Sequence, residues 1–137
     1  MNTPRPAAGA TTVKPTTVAL TTPPVDGTTK PSAFGGDDTK VTTGVDNRGT
    51  LWVYRPASDK WHGSYKSVTA VPAGSGFNIT PPTGFTSAQC MGVEIRRISG
   101  TGETHESIFA VNGANVRVDL QGVAAVGQYE AIATFVR

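Results

Sequence analysis

Cysteine is almost missing from this sequence. Cys90 stands alone among 137 residues, so no intrachain disulfide is possible. Small secreted β domains often depend on such staples, and their absence favours synthesis in a reducing cytosol. Histidine is nearly as scarce, with only His62 and His105. Charge is sparse too: 12 Lys and Arg against 10 Asp and Glu, a net charge of +2. Nucleic-acid binders of this size usually carry a clustered basic face. Arg96-Arg97 is the only adjacent basic pair, so no nucleic-acid partner is expected. Glu, Lys and Leu are too few for a coiled coil. No apolar run is long enough to span a bilayer, and no membrane partner is expected. The N-terminus, Met1-Asn2-Thr3-Pro4-Arg5-Pro6, has no apolar stretch of the kind a signal peptide needs. The expectation is a soluble chain not exported by the standard route.

The same scarcity limits chemistry. Neither histidine has a second His or Cys at a metal-ligand spacing. His105 and Glu106 are neighbours in an expected strand, so they point to opposite faces. Nothing local to Cys90 would activate a thiolate. Gly74-Ser75-Gly76 and Gly100-Thr101-Gly102 lack the following helix of a phosphate site and read as turns. Asp37-Asp38 offers too few ordered oxygens for calcium. Asn78-Ile79-Thr80 matches a glycosylation sequon, read as chance in a chain without an export signal. No enzyme activity, metal or cofactor is expected.

What the chain has in abundance is threonine and proline, and they are concentrated at one end. Residues 1–46 hold twelve of the twenty Thr and six of the ten Pro. Proline fixes φ and removes a donor, so neither a helix nor a central strand should run through this region. It reads as an extended N-terminal arm able to reach about 150 Å. Its spaced apolar residues Val13, Val18, Leu20, Val25 and Phe34 are candidates for docking onto a partner; Val41 is a further one. Removing residues 2–40 is then expected to leave a folded domain.

Residues 47–137 read as six or seven strands punctuated by Gly and Pro, with no helix: an all-β, antiparallel sandwich or small barrel. Thr50 to Arg55 alternates cleanly, Leu51 and Val53 on one face and Trp52 and Tyr54 on the other. Further strands are expected over Trp61–Val71, briefly at Phe77–Ile79, then over Met91–Arg96, His105–Val111, Val116–Leu120 and Gln128–Val136. A bulge is expected near Arg97-Ile98, a turn at 99–102 and a hairpin turn at Asn112-Gly113. Trp52, Tyr54, Trp61 and Tyr65 fall on two strands expected to pair. They form the core, a protein or oligomer interface, or a sugar-stacking platform.

An Ala/Thr/Pro/Gly-rich arm ahead of a compact β domain resembles, in layout and without a diagnostic motif, the head decoration (cement) proteins of tailed bacteriophages and other small virion proteins. The resemblance implies a non-enzymatic protein made in the host cytoplasm and placed on the outer capsid surface of the virion. It implies a homo-oligomer, often a trimer. The partner would be the major capsid protein or a similar lattice subunit, with the arm adding strands to exposed edges. The other reading is a carbohydrate-binding or adhesin-like module on a Thr/Pro stalk, carried by Trp52 or Trp61.

Overall fold

A computed structural model describes residues 13–72, 74–98, 104–105, 107–124 and 129–137. The first twelve residues of the arm, the turn expected at 99–102 and residues 125–128 lie outside the described residues. The domain is all-β, as the alternating patterns require. Ten strands are described: β1 (Thr17–Ala19), β2 (Thr42–Val45), β3 (Leu51–Arg55), β4 (Lys60–Ala70), β5 (Gly74–Ile79), β6 (Cys90–Arg97), β7 (Thr104–His105), β8 (Ser107–Asn112), β9 (Asn115–Ala124) and β10 (Tyr129–Val136). Two short 3-10 turns, Pro31–Phe34 and Ser87–Gln89, are the only helical segments described.

The strands form two sheets. One has seven strands in the order β1-β2-β3-β4-β10-β6-β7, counting the two-residue β7; the other has three, β5-β9-β8. Pairing is antiparallel except at one edge, where β1 runs parallel to β2. β1 and β2 come from within residues 1–46. The boundary expected at Asp46 is therefore corrected: the described part of the arm belongs to the domain.

The reason lies in the mismatch between the sheets. Three strands cannot cover seven. Phe77, Ile79, Val116 and Val118 of the small sheet bury with Ile95, Ala131, Ala133 and Phe135 of β6 and β10. The β2–β4 half of the large sheet is covered instead by the arm. A Cβ added to Gly44 would lie 2.9 Å from Leu20 and 3.3 Å from Trp61. Leu20 therefore sits on the bare backbone of β2. Gly63 plays the same part for Trp52, whose ring would be 2.6 Å from an added Cβ. Pro23, Pro24 and Pro31 are buried along this strap. Proline suits a covering segment that forms no ladder of its own.

Local chemistry sets the turns. Val45 and Leu51 pair across residues 46–50, where the Asp46 carboxylate accepts the Arg48 and Thr50 amides. Asn112 pairs with Asn115, so the hairpin turn is Gly113-Ala114, one residue later than the sequence suggests. Gly113 has φ 58°, at the position where a primed turn favours glycine. Among the described residues no register shift falls at Arg97, where the expected bulge would begin and β6 ends. A register shift occurs instead between Thr134 and Phe135, against β6.

The two sheets are joined along one side. β7 pairs Ile95 with His105 and Arg96 with Thr104. Continuing that register brings Val93 of β6 opposite Ser107, the first residue of β8. Two serine hydroxyls make contacts along this side. Ser107 Oγ donates to the Val93 carbonyl at 2.9 Å and Ser87 Oγ to that of Gly113 at 2.8 Å. The chain thus switches sheets between β7 and β8, as strands do at sandwich corners.

Candidate interaction surfaces

The expected aromatic interface is not at the surface. Trp52, Tyr54 and Trp61 are 0%, 2% and 1% exposed, and Tyr65 is half-buried against them. Of the alternatives for this set, the core is the one the fold adopts, and their assignment as an interface or sugar platform is corrected. The reason is the face chosen by β3. Trp52 and Tyr54 turn inward, Trp52 stacking on Phe85 with ring centroids 5.2 Å apart and Tyr54 meeting Trp61 at a tilt of 52°, also 5.2 Å between centroids. Arg48 lies over the Tyr65 ring at 4.2 Å and Arg137 over Trp52 at 4.8 Å.

Of the arm residues expected to meet a partner, Val18 and Leu20 are buried in the domain's own core and Phe34 packs against it. Their assignment as partner contacts is corrected: the arm's first partner is its own sheet. Val13 and Val25 remain exposed. Val41 is also exposed.

Polar contacts hold the strap down. Asp26 accepts the Trp61 amide at 2.8 Å and the Arg137 guanidinium at 2.9 Å. Trp61 Nε1 donates to the Thr29 carbonyl at 3.0 Å. Arg137 also donates to the carbonyls of Pro24 and Gly84, each at 2.8 Å. Lys30 pairs with Asp59, which also accepts the Tyr54 hydroxyl at 2.5 Å. These donors hold the Asp59 carboxyl below its ordinary range, Lys30 first and Tyr54 second. In return the bond to Asp59, with burial, pushes the Tyr54 phenol up to about 12. Asp59 itself sits at φ 54°, the left-handed region that Asp tolerates better than most residues. Asp46 is buried and anchors the start of β3. Burial opposes its charge, but bonds from Trp52 Nε1, Thr50 and Arg48 outweigh this and lower its pKa. Sequence reasoning missed Asp26, Asp46 and Asp59 because each serves a contact that folding creates.

These ionisable groups are committed to structure. His62 lies on the outer face opposite Val53. The Cys90 thiol is pushed up by burial. No group of three His, Cys, Asp or Glu side chains is placed to hold a metal ion among the described residues.

Among the surfaces the fold leaves open, two carry apolar side chains in register. Inward Trp52 and Tyr54 force Leu51 outward, 57% exposed. Leu51 pairs with Val45, and Val45 with Ala19. All three are exposed, making one row across β1–β3 beside β1, the edge strand of the sheet among the described residues. A second apolar group, Val68, Ile132 and Val136, lies on β4 and β10. Comparison with protein-family models, with curated proteins and with solved structures finds no match for this chain.

Proposed function

We propose that this protein is a non-enzymatic structural component of an assembled particle, of the capsid decoration type, docking on a lattice subunit at the outer surface of a virion. The observation that carries the reading is the row Ala19–Val45–Leu51 beside the β1 edge. Apolar residues in register next to a strand edge with no neighbour among the described residues offer both halves of a strand-addition site. The backbone supplies affinity and the side chains supply specificity. A short edge strand limits indiscriminate pairing. Asp26, Lys30, Asp59 and Arg137 tie the strap to the sheet, which fits a part built for rigidity. The sugar-binding alternative has no support of this kind, since Trp52 and Trp61 present no free ring.

The test is incorporation into particles. The chain is co-expressed with the structural proteins encoded beside it, and particles are purified on a density gradient. Wild-type protein should travel with particles at a fixed copy number. Leu51→Glu, an exposed change that leaves the core intact, should stay at the top. If Leu51→Glu is incorporated as well as wild type, this surface is not the docking site.

A further inference from the structure

Four exposed charges on the outer face of the large sheet, Arg55, Lys60, Lys66 and Glu94, form no ion pair among the described residues, and two of them, Lys66 and Glu94, flank β10. Lys66 lies on β4 opposite Thr134, and Glu94 on β6 opposite Ile132; both are exposed. The adjacent pair Arg96–Glu130 is closed on itself. Among the described residues, neither Lys66 nor Glu94 takes part in an ion pair. Between them runs β10, with Ile132 facing outward beside Val68, which is 59% exposed.

Strand geometry relates these charges to each other. With strands about 4.8 Å apart and a rise of about 3.4 Å per residue, Lys66 and Glu94 are roughly 10 Å apart across the strands and roughly 7 Å along them. The two-fold axis in the plane of the face that exchanges them crosses β10 between Ile132 and Thr134. It is tilted about 35° from the strands, so the strands of two copies would cross at about 70°, towards the orthogonal class of sheet packing.

We propose that this face is occupied by a second copy of the chain, forming a two-fold dimer. Lys66 of each copy meets Glu94 of the other, and Val68 and Ile132 pack across the axis. The argument for this occupant is self-complementarity. An isologous contact requires one patch to carry both members of each interaction, and this patch carries a cation, an anion and an apolar centre between them. Opposite charges placed this way fix orientation more than they add affinity. The inference deepens the reading of the chain as an assembly protein, yet it uses a different patch from the Leu51 row, so the two fail separately.

The experiment is sedimentation velocity on the full chain from micromolar to millimolar concentration, with circular dichroism as the folding control. Wild type should pass reversibly from monomer to dimer. Lys66→Glu and Glu94→Lys should each weaken the dimer by about tenfold or more, because each sets like charges in contact at two places. The double variant K66E/E94K should restore it to within about threefold of wild type, since the pairs re-form with signs exchanged. Val68→Glu should abolish it. Leu51→Glu should dimerise normally, whatever its behaviour with particles. A wild type that stays monomeric, a trimer, or a double variant as weak as the singles overturns the proposal.

Discussion

Replacing Leu20 by Ala tests whether the N-terminal strap is part of the core. Leu20 is 5% exposed and lies on the bare backbone of Gly44 beside the Trp61 ring. Burying it removes a full leucine side chain from water. Truncating a leucine in such a site costs about 2–5 kcal/mol, through lost transfer energy and the cavity left behind. A value of about 3 kcal/mol is reasonable, because Gly44 cannot move a side chain into the space and the Trp61 ring is held by Thr29. With a urea slope of about 2 kcal/mol/M, the unfolding midpoint should fall by about 1.5 M. Tryptophan fluorescence is the suitable signal, since Trp61 lies beneath the strap and Trp52 beside it. Val13→Ala, at a position 83% exposed, should change the unfolding free energy by no more than about 0.5 kcal/mol. If Leu20→Ala behaves like Val13→Ala, the strap contributes no stability, and residues 13–46 act as a free arm after all. The same reasoning reverses the expectation for removing residues 2–40. Truncation would uncover Trp61 and delete β1, so a cooperatively folded remainder would refute it.

Gly63→Ala should destabilise by about 1–3 kcal/mol by overpacking, since the new methyl would meet the Trp52 ring and the Leu51 carbonyl; calorimetry reads this as a lower Tm. Asp46→Asn should cost about 2 kcal/mol, because bonds to a charged acceptor are stronger than to a neutral one, checked by urea unfolding at neutral pH. Asp46 and Asp59 both titrate below their ordinary range. A carboxyl depressed in the folded state adds stability above its unfolded pKa and loses it as pH falls through the folded value. Stability should therefore hold from neutral pH down to about 4 and decline below. In Asp46→Asn that acid decline should be shallower.

Much of the fold was legible. Alternation in Leu51–Arg55 and Val116–Leu120 marked strands, and Gly-rich punctuation marked the turns between them, because a two-residue period follows directly from backbone geometry. Strand spans hold to within a few residues except where the chain changes sheets. The candidate site was much less legible. An alternating strand announces two faces but not which one is buried. Both choices in β3 were chemically sensible, since Leu51 and Val53 are as apolar as a core requires. Only the opposite face decides: Phe85, Leu20 and the glycine gaps at 44 and 63 make room for indole rings, and nothing small enough to hold only valine and leucine is there.

The arm shows the same division. Its composition determined that it would be largely extended and could not build a core alone, which follows from proline and threonine acting locally; the expectation of no helix is corrected by the 3-10 turn at Pro31–Phe34, which proline at its first position permits. Where it lies was settled by a nonlocal shortage. A three-stranded sheet leaves half of a seven-stranded one uncovered, and the nearest apolar segment, tethered at high effective concentration by its own chain, fills the gap. Sequence alone determines what each segment can be; which surfaces remain open depends on how the segments compete to bury one another.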